Sequence, residues 1–493
     1  MAAQYSWNSE MNSIKEQSLS GFKWSTIGQF STLTIRFVLG LIIARLLMPE
    51  DYGAIGMLAI FMAIAQSFVE CGFGNALIRK INRTEVDCST AFYFNIVIGL
   101  LSYGVLFWAA PWIAIFYNMP VLKDVVRVFS LVIVINSLGI VPSALRTVAV
   151  DFKSQAIASI LSAVISGIIG LAMAYHGYGV WALVWQSIIS ALLSVFIILI
   201  LAKWVPAWKY SWRSFWEMFS YGSKLMLSGM LHTVYSQAST LLIGKFYTPA
   251  ELGCYDRGKQ IASFPSLNLS SVMLSVTFPI LSKLQQDDER LIHVYHQYLA
   301  VISLVVFFLM TLLAVVAKPL ILILLTTKWL GAVPFLQIFC LAFMFDSICR
   351  LNNNLIFVKG WSGLFLKLEI IKKAIVTPFF LLAIPFGAMA ICCVAVVHTF
   401  VDILLSTYSL KKRLDIDLHR YGVLLRYLLV SALACAPSFL ICHIEISPWI
   451  SLSVGVVSAT ALYWWFLHKD ENMKECVRIL LNIIPVKRWM YRS

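Results

Sequence analysis

Long apolar runs, separated by short polar breaks, follow one another along the whole chain. Most runs are about 20 residues long, the length that a helix needs to cross the hydrocarbon core of a bilayer. The pattern predicts an all-α, polytopic membrane protein with about fourteen transmembrane helices. The predicted spans are 23–47, 53–78, 90–110, 121–145, 155–175, 180–202, 218–246, 254–281, 297–317, 333–357, 364–384, 387–409, 421–442 and 449–467.

The breaks after the first and the seventh runs share one sequence pattern. Residues 46–53 read LLMPEDYG, and residues 246–253 read FYTPAELG. The prolines, the acids and the glycines coincide when the chain is shifted by 200 positions. A proline, an acid and a glycine between apolar runs indicate a helix end, a tight turn and a new helix. Because the pattern occurs twice in register, it predicts an internal repeat.

A second break repeats as well, as GYGVWA at 177–182 and PFGAMA at 385–390. Spans 1–6 and 7–12 are therefore predicted to form two pseudo-symmetric six-helix lobes, with two additional helices. An even number of spans in each repeat gives both lobes one orientation and predicts a cavity between them. The predicted segments are 1–20 (cytoplasmic N-terminal segment), 21–217 (first lobe), 218–410 (second lobe), 411–468 (last two spans) and 469–493 (cytoplasmic tail).

Composition agrees with this prediction, since 60% of the residues are hydrophobic and soluble domains contain about 45–50%. The formal net charge of +14 raises the question of a nucleic-acid partner. However, lysines and arginines concentrate in alternate junctions, for example at Arg83 and Lys412. Basic residues collect in cytoplasmic loops, so the pattern places both termini in the cytoplasm and explains the charge without nucleic acid.

Ionisable residues inside a span are costly and normally face a cavity or a partner. Arg36 lies midway along span 1, and it shares one helical face with Ser25, Gln29, Thr32 and Gly40. His232 lies on the corresponding polar face of span 7. Both faces are expected to line the central cavity between the lobes. The alternative for Arg36 is an ion pair with an acid such as Glu70, which would only hold the lobe together.

Span 8 is too polar to face lipid along its length. Its polar residues are Asp256, Arg257, Lys259, Gln260, Ser263, Ser266, Asn268, Ser270, Ser271 and Ser275. In span 10, Asp346 and Arg350 are four residues apart, and the interpretation favoured here is a neutralised pair.

His398 and Asp402 have the same spacing in span 12. They are interpreted as a satisfied polar pair, with a proton or cation site as the alternative. The charged residues of span 11, among them Glu369 and Lys372, are attributed mostly to snorkelling.

Several segments together resemble the multidrug/oligosaccharidyl-lipid/polysaccharide (MOP) exporter superfamily. They are GFKW at 21–24, LMPEDYG at 47–53, GFGNALIR at 72–79 and FPILSK at 278–283. Within it, the chain is most similar to Wzx-type polysaccharide flippases of the colanic acid exporter group. The resemblance implies a V-shaped, two-lobed fold in the cell inner membrane. It also implies a substrate, undecaprenyl-pyrophosphate-linked oligosaccharide destined for exopolysaccharide or O-antigen, and partners in polysaccharide polymerase and export machinery.

The family places arginines of spans 1, 2 and 8 around the substrate pyrophosphate. Arg36 and Arg257 match spans 1 and 8, and the cationic cavity is expected to include Lys259 and His232. Arginine suits phosphate because its planar fork donates two parallel hydrogen bonds.

Span 2 departs from the family pattern, since it carries Glu70 in place of an internal arginine. Arg45, at the end of span 1, is either a substitute or an interfacial anchor. No cofactor and no metal are expected, and coupling to a H⁺ or Na⁺ gradient is left open. Glu70 and Asp402 are the acids to test for such coupling.

Two other functions stay open. A drug or cation antiporter of the same superfamily would need a compact cavity in which an acid is the dominant charge. A membrane-embedded glycosyltransferase or polysaccharide polymerase would need acids in a sizeable outer loop, and the predicted outer loops are short. The sequence contains no P-loop, HExxH or GxSxG motif, so the chain is predicted not to be an enzyme.

Overall fold

The computed structural model describes residues 2–70, 72–417, 421–444 and 447–474. These residues form α-helices and two short 3₁₀ helices and contain no strand, which confirms the all-α class. The predicted tail beyond residue 474 lies outside the described residues. The helices are α1 (Ala2–Leu46), α2 (Pro49–Glu70), α3 (Phe73–Arg79), α4 (Glu85–Phe116), α5 (Leu122–Phe129), α6 (Leu131–Val148), α7 (Phe152–Tyr175), α8 (Val180–Ala202), α9 (Trp212–Ser236), α10 (Ala238–Phe246), α11 (Pro249–Lys283), α12 (Asp288–Val315), α13 (Ala317–Leu324), α14 (Ala332–Val358), α15 (Ser362–Ala383), α16 (Ala388–Leu414), α17 (Gly422–His443) and α18 (Pro448–Leu467).

Eleven stretches of helix in the described residues are long and apolar enough to cross a membrane, and each coincides with a predicted span. The other three predicted spans, 218–246, 254–281 and 364–384, also form helices, namely α9 with α10, α11 and α15. These helices are interrupted or carry more charge. A multi-pass membrane protein is therefore confirmed, and the count of fourteen spans is compatible with the structure but stays a prediction.

The chain divides into two compact units, unit 1 (Met1–Gly253) and unit 2 (Cys254–Ser493). In unit 1, α7 packs against both α1 and α8, and α9 and α10 pack against α2. In unit 2, α14 packs between α12 and α16, and α17 pairs with α18. The division describes packing, so the predicted lobe boundary at 217/218 stays a prediction.

The repeated turn begins α2 and α11 in the same way. Pro49 and Pro249 are the first residues of their helices, where the missing N–H of proline costs nothing. The backbone N–H of Met48 donates to Asp51 Oδ2 at 3.0 Å, and that of Thr248 donates to Glu251 Oε2 at 3.0 Å. The spacing of proline and acid that the two turns share is therefore explained by helix capping, which also places a negative charge at a helix N-terminus.

The glycine of each repeated turn lies against the other turn. A Cβ atom on Gly53 would lie 1.8 Å from the carbonyl oxygen of Pro249, and a Cβ on Gly253 would lie 2.0 Å from that of Pro49. Real Cβ atoms do not approach an oxygen so closely. The two turns thus contact each other through their backbones, and only glycine fits at either position.

Aromatic packing holds the short helix α3 between α4 and α9. Phe73 is fully buried in a cluster with Phe92, Phe215 and Met218, and its ring stacks on that of Phe94 with centroids 4.6 Å apart. The cluster fixes α3 and α9, which both contribute to a cavity described below.

Candidate functional site

A cavity of about 480 Å³ lies between α1 and α7 in unit 1. We call it the Arg36 cavity. Ser25, Gln29, Thr32 and Arg36 line it from α1, as their helical spacing predicts. The opposite wall comes from α7 and includes the polar side chains of Gln155 and Ser159. The polar face of span 1 therefore lines a cavity within unit 1. Whether it also lines the predicted cavity between the lobes stays a prediction.

Small residues bring the two helices of this cavity together. A Cβ on Gly28 would lie 2.5 Å from the Cβ of Ala156. Further along, a Cβ on Gly167 would lie 2.2 Å from Leu39 Cδ1. These close approaches hold α1 against α7 without bulky side chains between them, as small residues do at membrane helix contacts.

Arg36 is exposed, and within the described part of the chain it makes no hydrogen bond and no ion pair. The alternative pairing with Glu70 is therefore not formed, because Glu70 lines a different cavity and accepts a hydrogen bond from Gln66. At the cavity rim, Lys153 Nζ lies 5.4 Å from the centroid of the Trp24 ring. The cavity thus combines a fixed positive charge with amide and hydroxyl groups, a combination that suits an anion.

A second cavity, also of about 480 Å³, is formed by residues of α2, α3, α6, α8 and α9. We call it the Glu70 cavity. Its polar lining consists of three amides, one carboxylate and several hydroxyls. These are Gln66, Glu70, Asn75, Asn136, Ser67, Ser143, Thr147 and Ser194. Glu70 is the one ionisable side chain among the described lining residues.

Hydrogen bonds order the amides of the Glu70 cavity. Asn136 Nδ2 donates to Gln66 Oε1 at 3.2 Å, and Gln66 Nε2 donates to Glu70 Oε1 at 3.2 Å. Gln155, which lines the Arg36 cavity, donates from Nε2 to Thr147 Oγ1 at 3.0 Å. Because Thr147 lines the Glu70 cavity, this hydrogen bond joins the walls of the two cavities.

Unit 2 contains a buried cluster of charges on α15 and α16. The Lys372 side chain is 6% exposed. It forms a very short hydrogen-bonded ion pair with Glu369, and its Nζ lies 3.1 Å from Asp402 Oδ2. Snorkelling is therefore the wrong interpretation for Lys372, because two carboxylates hold its ammonium in the interior. Asp402 binds this lysine, and its predicted pairing with His398 stays a prediction.

The Asp346–Arg350 pair forms as its spacing predicts, with Arg350 Nε 2.6 Å from Asp346 Oδ2. Arg257 is buried, donates to Gln260 Oε1 and has its Cζ 6.0 Å from the centroid of the Trp329 ring.

The remaining predicted site residues lie in less enclosed surroundings. Lys259 Nζ lies 5.8 Å from the centroid of the Tyr255 ring. Arg45 and His232 are exposed, the former in the last turn of α1 and the latter on α9. Whether these cations gather around one ligand with Arg36 stays a prediction.

Sequence reasoning did not identify Asn136, Gln155 or Lys372 as site residues. Each is a polar residue inside an apolar helix, and that signal was available in the sequence. Their partners come from other helices, however, so the sequence did not show which groups they meet.

The model of one protein family, described as "polysaccharide biosynthesis protein", matches residues 42–334, more than half of the chain. Teichuronic acid biosynthesis protein TuaB of Bacillus subtilis (strain 168) is 25% identical over 93% of this chain and 97% of its own length. Lipopolysaccharide biosynthesis protein WzxC of Escherichia coli (strain K12) is 21% identical over 74% of this chain and 75% of its own. Succinoglycan biosynthesis transport protein ExoT of Rhizobium meliloti (strain 1021) is 24% identical over 65% of each chain.

Solved structures show the same fold. The lipid II flippase MurJ in an inward closed conformation superposes with a TM-score of 0.72 at 13% identity, over 90% of this chain and 99% of MurJ. A MATE-family multidrug transporter of the MOP superfamily in an outward-facing conformation superposes with a TM-score of 0.53 at 14% identity, over 80% of this chain and 95% of the transporter. These findings confirm the resemblance to Wzx-type flippases of the MOP superfamily.

Proposed function

Because this chain belongs to the polysaccharide biosynthesis protein family, we propose that it is a flippase for lipid-linked oligosaccharides. It moves undecaprenyl-pyrophosphate-linked repeat units across the cell inner membrane for surface polysaccharide synthesis, by alternating access. Relatives named for lipopolysaccharide biosynthesis and succinoglycan transport, and a fold shared with a lipid II flippase, support the proposal. It involves no covalent chemistry.

Arg36 is the observation that carries this proposal. An arginine in the middle of an apolar helix costs of order 2.5–3.5 kcal/mol on insertion scales. Where such a charge is structural, an acidic partner normally offsets that cost. Arg36 has no such partner in the described residues and instead lines a polar cavity. The cation is therefore available to an anionic ligand.

The chemistry of the Arg36 cavity suits a pyrophosphate. The guanidinium can donate two parallel hydrogen bonds to phosphate oxygens, and the amide of Gln29 can donate more. A volume of about 480 Å³ is typical of sites for small polar molecules. The site holds the diphosphate, and the polyprenyl tail stays in lipid. Arg257, Lys259, Arg45 and His232 are proposed as further cationic groups along the path.

A second candidate function is drug or cation antiport within the same superfamily. The specific observation in its favour is the Glu70 cavity, where the one ionisable lining residue described is an acid. The fold similarity to a MATE transporter agrees with it. In that case Glu70 would bind the transported cation, and Arg36 would have no role in transport.

The decisive experiment uses the purified protein in liposomes. One leaflet carries a fluorescent undecaprenyl-pyrophosphate-linked N-acetylglucosamine, and transfer is measured by the loss of fluorescence to an impermeant quencher. The wild type is expected to speed transfer, and Arg36→Ala is expected to abolish it. In parallel, the same liposomes are loaded with ethidium and tested for proton-driven efflux. Ethidium efflux without lipid transfer would replace the flippase proposal with the antiporter.

A further inference from the structure

The Glu70 cavity has a lining that the pyrophosphate proposal leaves without a role. Its polar groups are amides, hydroxyls and a single carboxylate, and no lysine or arginine is among the described lining residues. Such a set offers both donors and acceptors but no cationic group for a phosphate. Its chemistry therefore matches a ligand that has many hydroxyl groups of its own.

The hydrogen bonds within this cavity disfavour a bare cation. Glu70 Oε1 already accepts from Gln66 Nε2, and Gln66 Oε1 accepts from Asn136 Nδ2. The amide of Gln66 thus occupies Glu70 Oε1, and a cation held by both carboxylate oxygens would have to displace it. A sugar hydroxyl can instead join the chain, since it donates and accepts at once. Glu70 Oε2 and Asn136 Oδ1 remain as acceptors for it.

The position of this cavity relates it to the Arg36 cavity. Gln155 lines the Arg36 cavity and donates to Thr147, which lines the Glu70 cavity. The two cavities therefore meet at a wall in which this hydrogen bond joins a lining residue of each. In a glycolipid, the sugar is attached directly to the pyrophosphate. An anion held in the part of the Arg36 cavity that Gln155 lines would therefore have its sugar next to this wall.

We propose that the Glu70 cavity is the glycan subsite of the transporter and holds a sugar of the pyrophosphate-linked substrate. This inference rests on the proposed flippase function. Gln66, Asn136 and Glu70 bind sugar hydroxyls, and the Glu70 carboxylate repels an acidic sugar. The subsite therefore selects a neutral sugar over a uronic acid.

The test measures binding to the purified full-length protein in lipid nanodiscs. The probes are undecaprenyl pyrophosphate alone and its adducts with galactose, N-acetylglucosamine and glucuronic acid. The wild type is expected to bind at least one neutral adduct more tightly than undecaprenyl pyrophosphate, and the glucuronic acid adduct no more tightly. Asn136→Ala and Gln66→Ala should each reduce this advantage by about three- to tenfold, with the affinity for undecaprenyl pyrophosphate unchanged.

Gln186→Ala is the matched control. This amide lies on α8 of the same unit and packs against Gly170 rather than lining the cavity. Gln186→Ala should bind the neutral adduct more tightly than undecaprenyl pyrophosphate by the same factor as the wild type. Arg36→Ala should instead weaken the binding of every probe.

The outcomes separate the two proposals. Equal wild-type affinity for undecaprenyl pyrophosphate and all its adducts would overturn the glycan subsite and leave the flippase. The glycan subsite would also be overturned if Asn136→Ala and Gln66→Ala both kept the wild-type preference for the neutral adduct over undecaprenyl pyrophosphate. Tighter wild-type binding of the glucuronic acid adduct than of the neutral adducts would overturn it as well. Failure of the wild type to bind any of the probes would overturn both.

Discussion

Arg36 in unit 1 and Lys372 in unit 2 are both cations on helices of a membrane protein, yet their surroundings are opposite. Arg36 is exposed in a polar cavity and has no ion-pair partner in the described residues. Lys372 is 6% exposed and contacts both Glu369 and Asp402. The first charge is left for a ligand to neutralise, and the second is neutralised within the protein.

The difference shows why an intramembrane charge alone does not identify a binding site. A buried ion pair is costly to desolvate, and its removal leaves an uncompensated partner. An exposed charge that lines a cavity leaves no buried partner uncompensated when it is removed. Stability should therefore depend on Lys372, and export should depend on Arg36.

The largest expected effect is on export through Arg36. We expect Arg36→Ala to abolish surface polysaccharide, with the amount of protein in the membrane near the wild-type level. Arg36→Lys should restore export only in part, because it keeps the charge but loses the bidentate geometry. The measurement is polysaccharide on cells that depend on the variant, with membrane protein quantified by immunoblot.

Arg257→Ala is expected to abolish export as well, although Arg257 is buried and hydrogen-bonded to Gln260. Wild-type export by both alanine variants would refute the cationic-cavity mechanism and strengthen the antiporter alternative.

The next effect is on stability through Lys372. Lys372→Met should lower the free energy of unfolding by roughly 3–5 kcal/mol, because it leaves the Asp402 carboxylate in the interior without its cation. Arg36→Ala should change it by less than about 1 kcal/mol, as is usual for exposed charges. Thermal unfolding in detergent measures both. If Lys372→Met is as stable as the wild type, the contrast between a structural Lys372 and a ligand-binding Arg36 is refuted.

A smaller effect is expected on ion coupling. If a gradient drives transport, Glu70→Gln and Asp402→Asn should each weaken the dependence of transport on pH or Na⁺. Asp402→Asn also removes one of the two carboxylates that hold Lys372, so its protein level must be measured alongside. Liposome transfer assays across a series of pH and Na⁺ values provide the readout. Unchanged ion dependence in both variants would exclude both acids as coupling sites.

The smallest expected effect is on the pH dependence of stability through Asp151, which is the N-cap residue of α7. Asp151 accepts hydrogen bonds from Ser154 and forms an ion pair with Arg146. Burial opposes its ionisation, but the hydrogen bonds from Ser154 and the charge of Arg146 hold the pKa of Asp151 below its ordinary value. Because the pKa of Asp151 is lower in the folded state than in the unfolded state, its ionised form stabilises the fold. This stabilisation is fully present above the pKa of the unfolded state, about 3.9. It is lost as the pH falls through the pKa of the folded state.

Asp151→Ala should therefore cost about 1 kcal/mol at neutral pH, and the difference from wild type should shrink below pH 4. Thermal unfolding measured at pH 7 and again below pH 4 checks this. A cost as large as that of Lys372→Met would contradict the contrast between partly exposed and buried ion pairs.

Helical periodicity explains how much of the site the sequence could predict. Residues at spacings of three and four share a face, so the lining formed by Ser25, Gln29, Thr32 and Arg36 was predictable. The repeated turns were predictable as well, because proline and glycine act locally. The partners of Lys372 and Asn136 were not. Asp402 and Gln66 lie on other helices, and only tertiary packing determines which helix faces meet.

The contact between the repeated turns also bears on the origin of the chain. Gly53 lies on the carbonyl of Pro249, and Gly253 lies on the carbonyl of Pro49, so the same pair of residues meets twice in reverse order. This is the reciprocity of an isologous dimer interface. A half-length ancestor that carried one such turn could pair with a second copy of itself through the same glycine. Gene fusion would then have joined two proteins that already recognised each other.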